Sequence, residues 1–410
     1  MKQMIYADNA ATTKLDSDAF RAMLLWLQEE YGNASQPYSF ARKPHKALAE
    51  ARETIASCIG AEPEEIFFTS GGTESDNWAI KGLAYDHLVD SVITSQIEHH
   101  AVLNACAAVS RRGIYVHYLS VEHGGTVLPE TLALGMTEKK SLVSIMMVNN
   151  EIGTIEPIQE LAAVAHSGGA LFHTDAVQAV GHIPIDVKEL GVDMLSASAH
   201  KFNGPKGIGF LYVRKGTKIY PYSDGGAQEF GMRAGTENIA AIVGMAVALK
   251  KNCDEMTEIT ENLRRIEAQF IGTLKNAHID FERNGSERRV PGNISISIRG
   301  ASGEMLLHRL DLKGIAISTG SACDSVNTQV SHVIRAIGIP AEYAKGTIRV
   351  SFGRENTEDD ATAIAEALIQ ILAKKYSISK SPSEGIPQRA SHYSGNIPIN
   401  FLVSAAKAMV

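Results

Sequence analysis

The sequence has little cysteine: Cys58, Cys106, Cys253 and Cys323 are the four in 410 residues, and no CxxC pair occurs. That removes the usual signal for zinc ribbons, thioredoxin-like motifs and disulfide frameworks, so no metal site is expected. A reduced, cytoplasmic protein fits this usage. Long apolar runs are missing too; the run 240–249 falls well short of the ~18 residues a membrane span needs. The opening MKQMIYADNAATT has no apolar stretch of the secretory kind. Positive charge is not in excess, since 39 Lys and Arg stand against 46 Asp and Glu for a net charge of −7. A broad nucleic-acid surface needs clustered Lys and Arg, so none is expected. Neither GxxxxGKS/T nor a strand-following GxGxxG is present, which disfavours nucleoside triphosphates and dinucleotides.

What is present is a soluble composition, 44% hydrophobic and 21% charged, long enough for two or three units with a large core. Short apolar runs ending in Gly or polar punctuation read as buried strands: EEIFFTSGG, SVITSQIEHH, IYVHYLSVEHGG, SLVSIMMVNNEIG, GALFHTDAVQ and VDMLSASAHK. Helical patterns such as HHAVLNACAAVSRRG and IQELAAVAHSGG lie between them. This alternation predicts an α/β fold with a mostly parallel sheet covered on both faces. Beyond about residue 250 the texture changes. NCDEMTEITENLRRIEAQFIGTLKNA reads as one long amphipathic helix, GNISISIRG and GTIRVSFGR alternate like antiparallel strands, and DDATAIAEALIQILAKKY has one apolar face. A smaller α+β domain is expected there, followed by a tail rich in Ser, Pro and Gly.

Ligands of parallel sheets bind beyond the carboxyl ends of the strands, and several of these ends carry polar groups. SGGTESDN sets Gly71, Gly72 and Thr73 between a strand and a helix, where exposed amides and the helix dipole suit a phosphate. A Gly-Gly turn alone is often only a turn. FHTDAVQ ends a strand in Asp175, with Gln178 three residues on; such a carboxylate caps a helix or holds a heterocyclic nitrogen protonated. SASAHKFNGPKG follows a strand end with Ser198, His200 and Lys201, and a desolvated lysine can lose its proton and bond to an aldehyde. Lys206 competes for that role on composition, and position favours Lys201. His99 follows another strand, either as a satisfied loop residue or as a group that stacks on a ring or moves protons. Phosphate turn, strand-end acid and lysine, in this order, are the parts a pyridoxal phosphate site needs.

DNAATT, GGTESDN, EHHAV, NNEIG, HTDAVQ, SASAHKFNGPKG, RAGTEN, STGSACDS and IRVSFGR together resemble the cysteine desulfurases of the NifS/IscS type, within the class V aminotransferases. The likeness runs in family order over about residues 4 to 375. It implies the pyridoxal phosphate fold type I, with a large domain holding a seven-stranded sheet and a smaller α+β domain. The chain then divides into a segment 1–14 packing with the small domain, a large domain 15–255, a small domain 256–376 and a tail 377–410.

The resemblance also implies roles. Lys201 would bind the cofactor aldehyde, Asp175 the pyridinium nitrogen and Gln178 the ring hydroxyl, with His99 on the ring. Gly72, Thr73, Ser198 and His200 would hold the phosphate, joined by Thr236 of the partner subunit in a homodimer. Asn150, which would also contact the cofactor, and Arg349 look like contacts for L-cysteine and its carboxylate. Cys323 matches the nucleophile that takes sulfur from the substrate, leaving alanine and an enzyme persulfide. Sulfur would pass to an acceptor, either an iron–sulfur scaffold or a thiolating enzyme. Cys58, Cys106 and Cys253 have no such match. The alternatives are a selenocysteine lyase or related β-lyase on the same site, and a non-catalytic sulfur carrier.

Overall fold

The structure is a computed structural model that describes residues 4–85, 87–319 and 330–378. Cys323, in 320–329, and the tail from residue 379 lie outside the described residues. The chain forms two units, Met1–Leu372 and Ala373–Val410. Of the second, the described part is the end of helix Glu358–Ile378. Among the described residues no helix is long and apolar enough to cross a membrane.

Strand β1 (Ile5–Tyr6) comes first. The next strands are β2 (Ile66–Thr69), β3 (Ser91–Ser95), β4 (Tyr115–Leu119), β5 (Ser141–Ser144), β6 (Leu171–Asp175), β7 (Met194–Ser198) and β8 (Gly209–Val213). They make a seven-stranded sheet in the order β2-β8-β7-β6-β5-β3-β4. All neighbours are parallel except those of β8, which runs against both β7 and β2. The carboxyl ends of β2, β3, β5, β6 and β7 therefore share one edge.

Alternation along the strands feeds two apolar clusters. Phe68, Val143 and Leu195 join one, and Phe67, Leu142 and Met194 the other, so both faces are covered. Two expectations need correction. The run at β4 is not buried: it is an edge strand paired only with β3, and Tyr115 and Tyr118 are exposed. GFLYV, unread in the sequence, supplies the antiparallel β8.

Later strands are β9 (Phe281–Arg283), β10 (Asn293–Ile298), β11 (Ile315–Ala316) and β12 (Thr347–Ser351). They form an antiparallel sheet β12-β10-β9 and a parallel pair β1-β11. Ile296 and Val350 pack there with Ile266, Phe270 and Leu306 in a separate apolar cluster, which Ala7 also joins. The single long helix read from Asn252 is two helices, Ile239–Asp254 and Met256–Asn276, broken at Glu255. Asn252 belongs to the first because its buried amide donates to Phe202 O and Ala248 O, at 2.7 and 2.8 Å.

The N-terminal segment ties these sheets together. Ala7 N donates to Ala316 O and Asn9 N to Ser351 O, at 2.9 and 3.0 Å. Farther on, Thr13 N donates to His200 O and Asp16 N to Asn203 O, both at 2.9 Å. Asp16 then caps helix Ser17–Gln28, accepting from Asp18 N and Ala19 N at 2.7 and 3.1 Å.

Candidate active site

At the shared strand edge lies a cavity of about 640 Å³. It is lined by Gly72, Thr73, His99, Asn150, Asp175, Gln178, Ser198, His200, Lys201 and Arg349, each singled out from the sequence. Thr236 is exposed and stands outside this lining.

One end is built for an anion. Helix Gly72–Ala84 starts behind Gly71 with no side chain capping its first amides. A Cβ on Gly72 would lie 2.4 Å from Val177 Cγ2, so only glycine lets the helix start against that side chain. Ser198 is buried and His200 Nδ1 lies 3.2 Å from Thr12 Oγ1. Burial, with Lys201 and Lys206 nearby, pushes His200 down to about 4, so the imidazole is neutral at neutral pH.

The middle of the cavity carries the acid, the imidazole and the amine. Asp175 ends β6, buried, and its Oδ1 accepts from Val177 N at 2.9 Å. Burial raises its pKa, against His99, the Val177 amide and Lys201, which lower it. His99 caps helix His100–Ser110, with Nδ1 accepting from Ala101 N at 3.1 Å, so the neutral ring carries its proton on Nε2. Burial lowers the His99 pKa, with Lys201 and His100 adding to it and Asp175 opposing. Lys201 closes a short turn after β7, and its Nζ donates to Ala10 O and Ala11 O at 2.6 and 2.8 Å. Lys206 also lines the cavity but is exposed, and it is Lys201 whose charge acts on Asp175 and His99. Gln178 Nε2 donates to Ala10 O at 2.9 Å.

Arg349 of β12 forms the other end. Its Nη1 donates to Asn150 O at 2.8 Å and its Nη2 to Asp8 Oδ1 at 2.9 Å. Its buried Nε has no hydrogen-bond partner. What the structure shows of Asn150 is thus its backbone oxygen orienting the guanidinium.

Four features went unread: the Ala10 and Ala11 carbonyls, Asp8, Asp76 and His332. The first three sit inside DNAATT and GGTESDN, motifs noticed without a role for these residues. Asp76 is fully buried, and ligand atoms of Asp76, His99 and Asp175 all lie within 4.8 Å of one another. A cation could sit among such groups, but the Lys201 ammonium acts on the same acid and would repel it. His332 Nε2 donates to Glu98 O at 3.0 Å, and its ring meets His100 edge-on at 5.0 Å. Of the other cysteines, Cys106 is buried and pushed up to about 12 by that burial. Cys58 and Cys253, both half-buried, hydrogen-bond each other, a pairing their spacing did not suggest.

The donor set fits pyridoxal phosphate: an uncapped glycine-started helix for the phosphate, a buried acid for the ring nitrogen and an amine in the same cavity.

Residues 5–364 match the family model for class-V aminotransferases. The chain is 47% identical over 387 residues to the cysteine desulfurase IscS of Dictyoglomus turgidum, covering 94% of this chain and 98% of that protein. Of solved structures, a NifS-like protein superposes with a TM-score of 0.85 at 35% identity, covering 91% of this chain and 100% of the other. SspA in complex with cysteine superposes with a TM-score of 0.77 at 34% identity, covering 85% and 99%.

Proposed function

The chain belongs to the class-V aminotransferase family as a pyridoxal phosphate-dependent cysteine desulfurase of fold type I, and from that premise we propose which residues carry the reaction. Its substrate is L-cysteine.

Bound pyridoxal phosphate supplies an electron sink for charge developing on the substrate carbons. Gly72, Thr73, Ser198 and His200 would hold its phosphate, joined by Thr236 of the partner subunit. Asp175 would keep the ring nitrogen protonated, and Gln178 would bond the ring hydroxyl. His99 would stack on the ring and move protons at its Nε2. Lys201 would hold the aldehyde and, as a free amine, move the proton at the substrate Cα. Arg349, held by Asn150 and Asp8, takes the substrate carboxylate. The Cys323 thiolate attacks the substrate sulfur; the carbon–sulfur bond breaks, its electron pair goes to carbon and takes up a proton. Alanine leaves and a persulfide stays on Cys323.

A single observation carries this assignment. Asp175 and Lys201, from the ends of adjacent strands, share one cavity with an uncapped helix start. Exposure of Thr236 outside its own chain's cavity supports a homodimer, in which that residue serves the second site. The persulfide would go to an acceptor protein, an iron–sulfur scaffold or a thiolating enzyme.

Alanine and sulfide release from L-cysteine, measured for wild type and Cys323→Ala, tests the scheme, with selenocysteine run beside it. We expect Cys323→Ala to lose sulfide release and wild-type Cys323 to gain one sulfur atom by mass spectrometry. A variant that keeps full activity on cysteine would remove the persulfide step. A monomer in sedimentation would remove the role of Thr236.

A further inference from the structure

Beneath the ring position the cavity floor holds more acid than base. Asp175 and Asp76 both present carboxylate oxygens there, and Glu98 lies behind them, fully buried. Glu98 is well supplied: Ser95 Oγ donates at 2.6 Å and Met146 N at 3.0 Å. Asp76 is not. It projects from helix Gly72–Ala84, is 1% exposed, and its Oδ1 has no hydrogen-bond partner. The Ser196 hydroxyl is in hydrogen-bond reach of this carboxyl.

The nearest basic group is His173 on β6, whose Nε2 is 3.8 Å from Asp76 Oδ1. That imidazole cannot serve as a counter-charge. Its Nδ1 is 2.9 Å from Ser144 Oγ and its Nε2 2.9 Å from Ser196 Oγ. Burial pushes its pKa down to about 3, so it is neutral. His99, the other imidazole on the floor, is also held down by burial. With both carboxyls buried and within 4.8 Å of each other, a proton on one of them relieves the like-charge repulsion. Asp175 has a backbone amide donor and is lowered by His99 and Lys201, whereas burial, Asp175 and Glu98 raise Asp76 against the Ser196 hydroxyl alone.

We propose that Asp76 is a positioning residue: a neutral carboxylic acid on the cavity floor, beside Asp175. One negative charge then remains on the floor, on the oxygen pair that faces the ring nitrogen. The unpartnered Oδ1 is the place for the acid proton. Burial and the nearby Asp175 and Glu98 charges push Asp76 in the same direction. This rests on Asp175 being the partner of the ring nitrogen.

Two measurements on holoenzyme test it. The absorbance of the lysine-bound cofactor, titrated with pH, reports charge at the ring. Asp76→Asn replaces a neutral acid by a neutral amide, so the titration midpoint should stay within about 0.3 unit of wild type. Removing a real negative charge at this range would shift it by about one unit, worth 1.36 kcal/mol, and a shift of that size overturns the proposal. Asp175→Asn is the control; if it leaves the cofactor spectrum and midpoint unchanged, the reading of Asp175 fails, whatever Asp76 does. The second measurement needs no variant. Infrared spectra of wild-type holoenzyme grown with ¹³C-labelled aspartate should show a protonated-acid carbonyl band that moves with the label. Glu98 and Glu156, whose carboxyls burial also pushes up, would not move. Absence of a label-shifted acid band at neutral pH overturns the assignment.

Discussion

Arg52 and Glu229 form a buried ion pair in which every charged group is met, while the cavity floor holds buried charge left open. Arg52 donates to Glu229 from both Nη atoms, at 2.8 and 2.7 Å, and also to Ile66 O. Glu229 Oε2 takes a further bond from Phe68 N at 2.8 Å, and the guanidinium lies over Phe68 and Phe230 at 4.4 and 5.1 Å. In the cavity, by contrast, Asp76 Oδ1 and Arg349 Nε have no partner. Both regions bear the desolvation cost of burying charge. In the first it fixes backbone: Glu229 and Phe230 hold left-handed φ of 46° and 58° without glycine, a strained turn leading towards Thr236. In the second, Arg349 Nε faces the proposed substrate end and Asp76 Oδ1 is the place proposed for an acid proton. Between these two regions, the satisfied pair goes with architecture and the open groups line the cavity.

The largest effect comes from breaking the open region. Lys201→Ala should lower alanine formation from cysteine by at least ~10²-fold, while lost bonds to Ala10 O and Ala11 O cost about 1.5–3 kcal/mol each. Steady-state assays beside denaturant unfolding separate the two. A large stability loss with modest loss of turnover would reverse the contrast, making Lys201 architectural.

The closed region should respond the other way. Arg52→Ala strands the Glu229 carboxylate and should cost roughly 3–5 kcal/mol in unfolding free energy. Replacing both partners, as in Arg52→Met with Glu229→Gln, should recover much of that loss, because no uncompensated charge remains. If the single variant costs less than about 1 kcal/mol, water reaches the pair and its burial is not what holds the turn.

The same contrast explains what could be read in advance. The parallel sheet was legible because its central strands are short, apolar-rich and punctuated, and the candidate site because polar residues cluster at strand ends. Edge strand β4 misled because its apolar residues resemble those of a buried strand, and edge position is a property of the sheet, not of the run. The helix break at Glu255 carried no Gly or Pro signal; it follows from where Asn252 is tied. Asp8 and Asp76 lay in quoted motifs, yet their roles depend on partners 341 residues away and on neighbours brought by β6 and β7. Such pairings have no local periodicity. The Arg52–Glu229 pair, 177 residues apart, was invisible for the same reason.

A third cluster lies between these extremes and carries the smallest expected effect. Asp16 caps helix Ser17–Gln28 and pairs with Arg354 and, at 3.1 Å, with Lys251. Burial would raise its pKa, but the Ala19 amide, Lys251, the Asp18 amide and Arg354 outweigh it and bring the carboxyl to about 2. A folded value below the unfolded ~3.9 means the carboxylate stabilises the fold fully above that value and is lost as pH falls through about 2. Asp16→Asn keeps a competent cap and removes only the charge. The variant should therefore be less stable than wild type by about 1 kcal/mol near neutrality, with the gap closing between the unfolded value and about pH 2. Urea unfolding across that range reads it directly. A gap that persists in acid would assign the loss to cap geometry. Asp16 would then join Arg52 and Glu229 as a group whose placement, more than its charge, holds the N-terminal segment against the Lys201 turn.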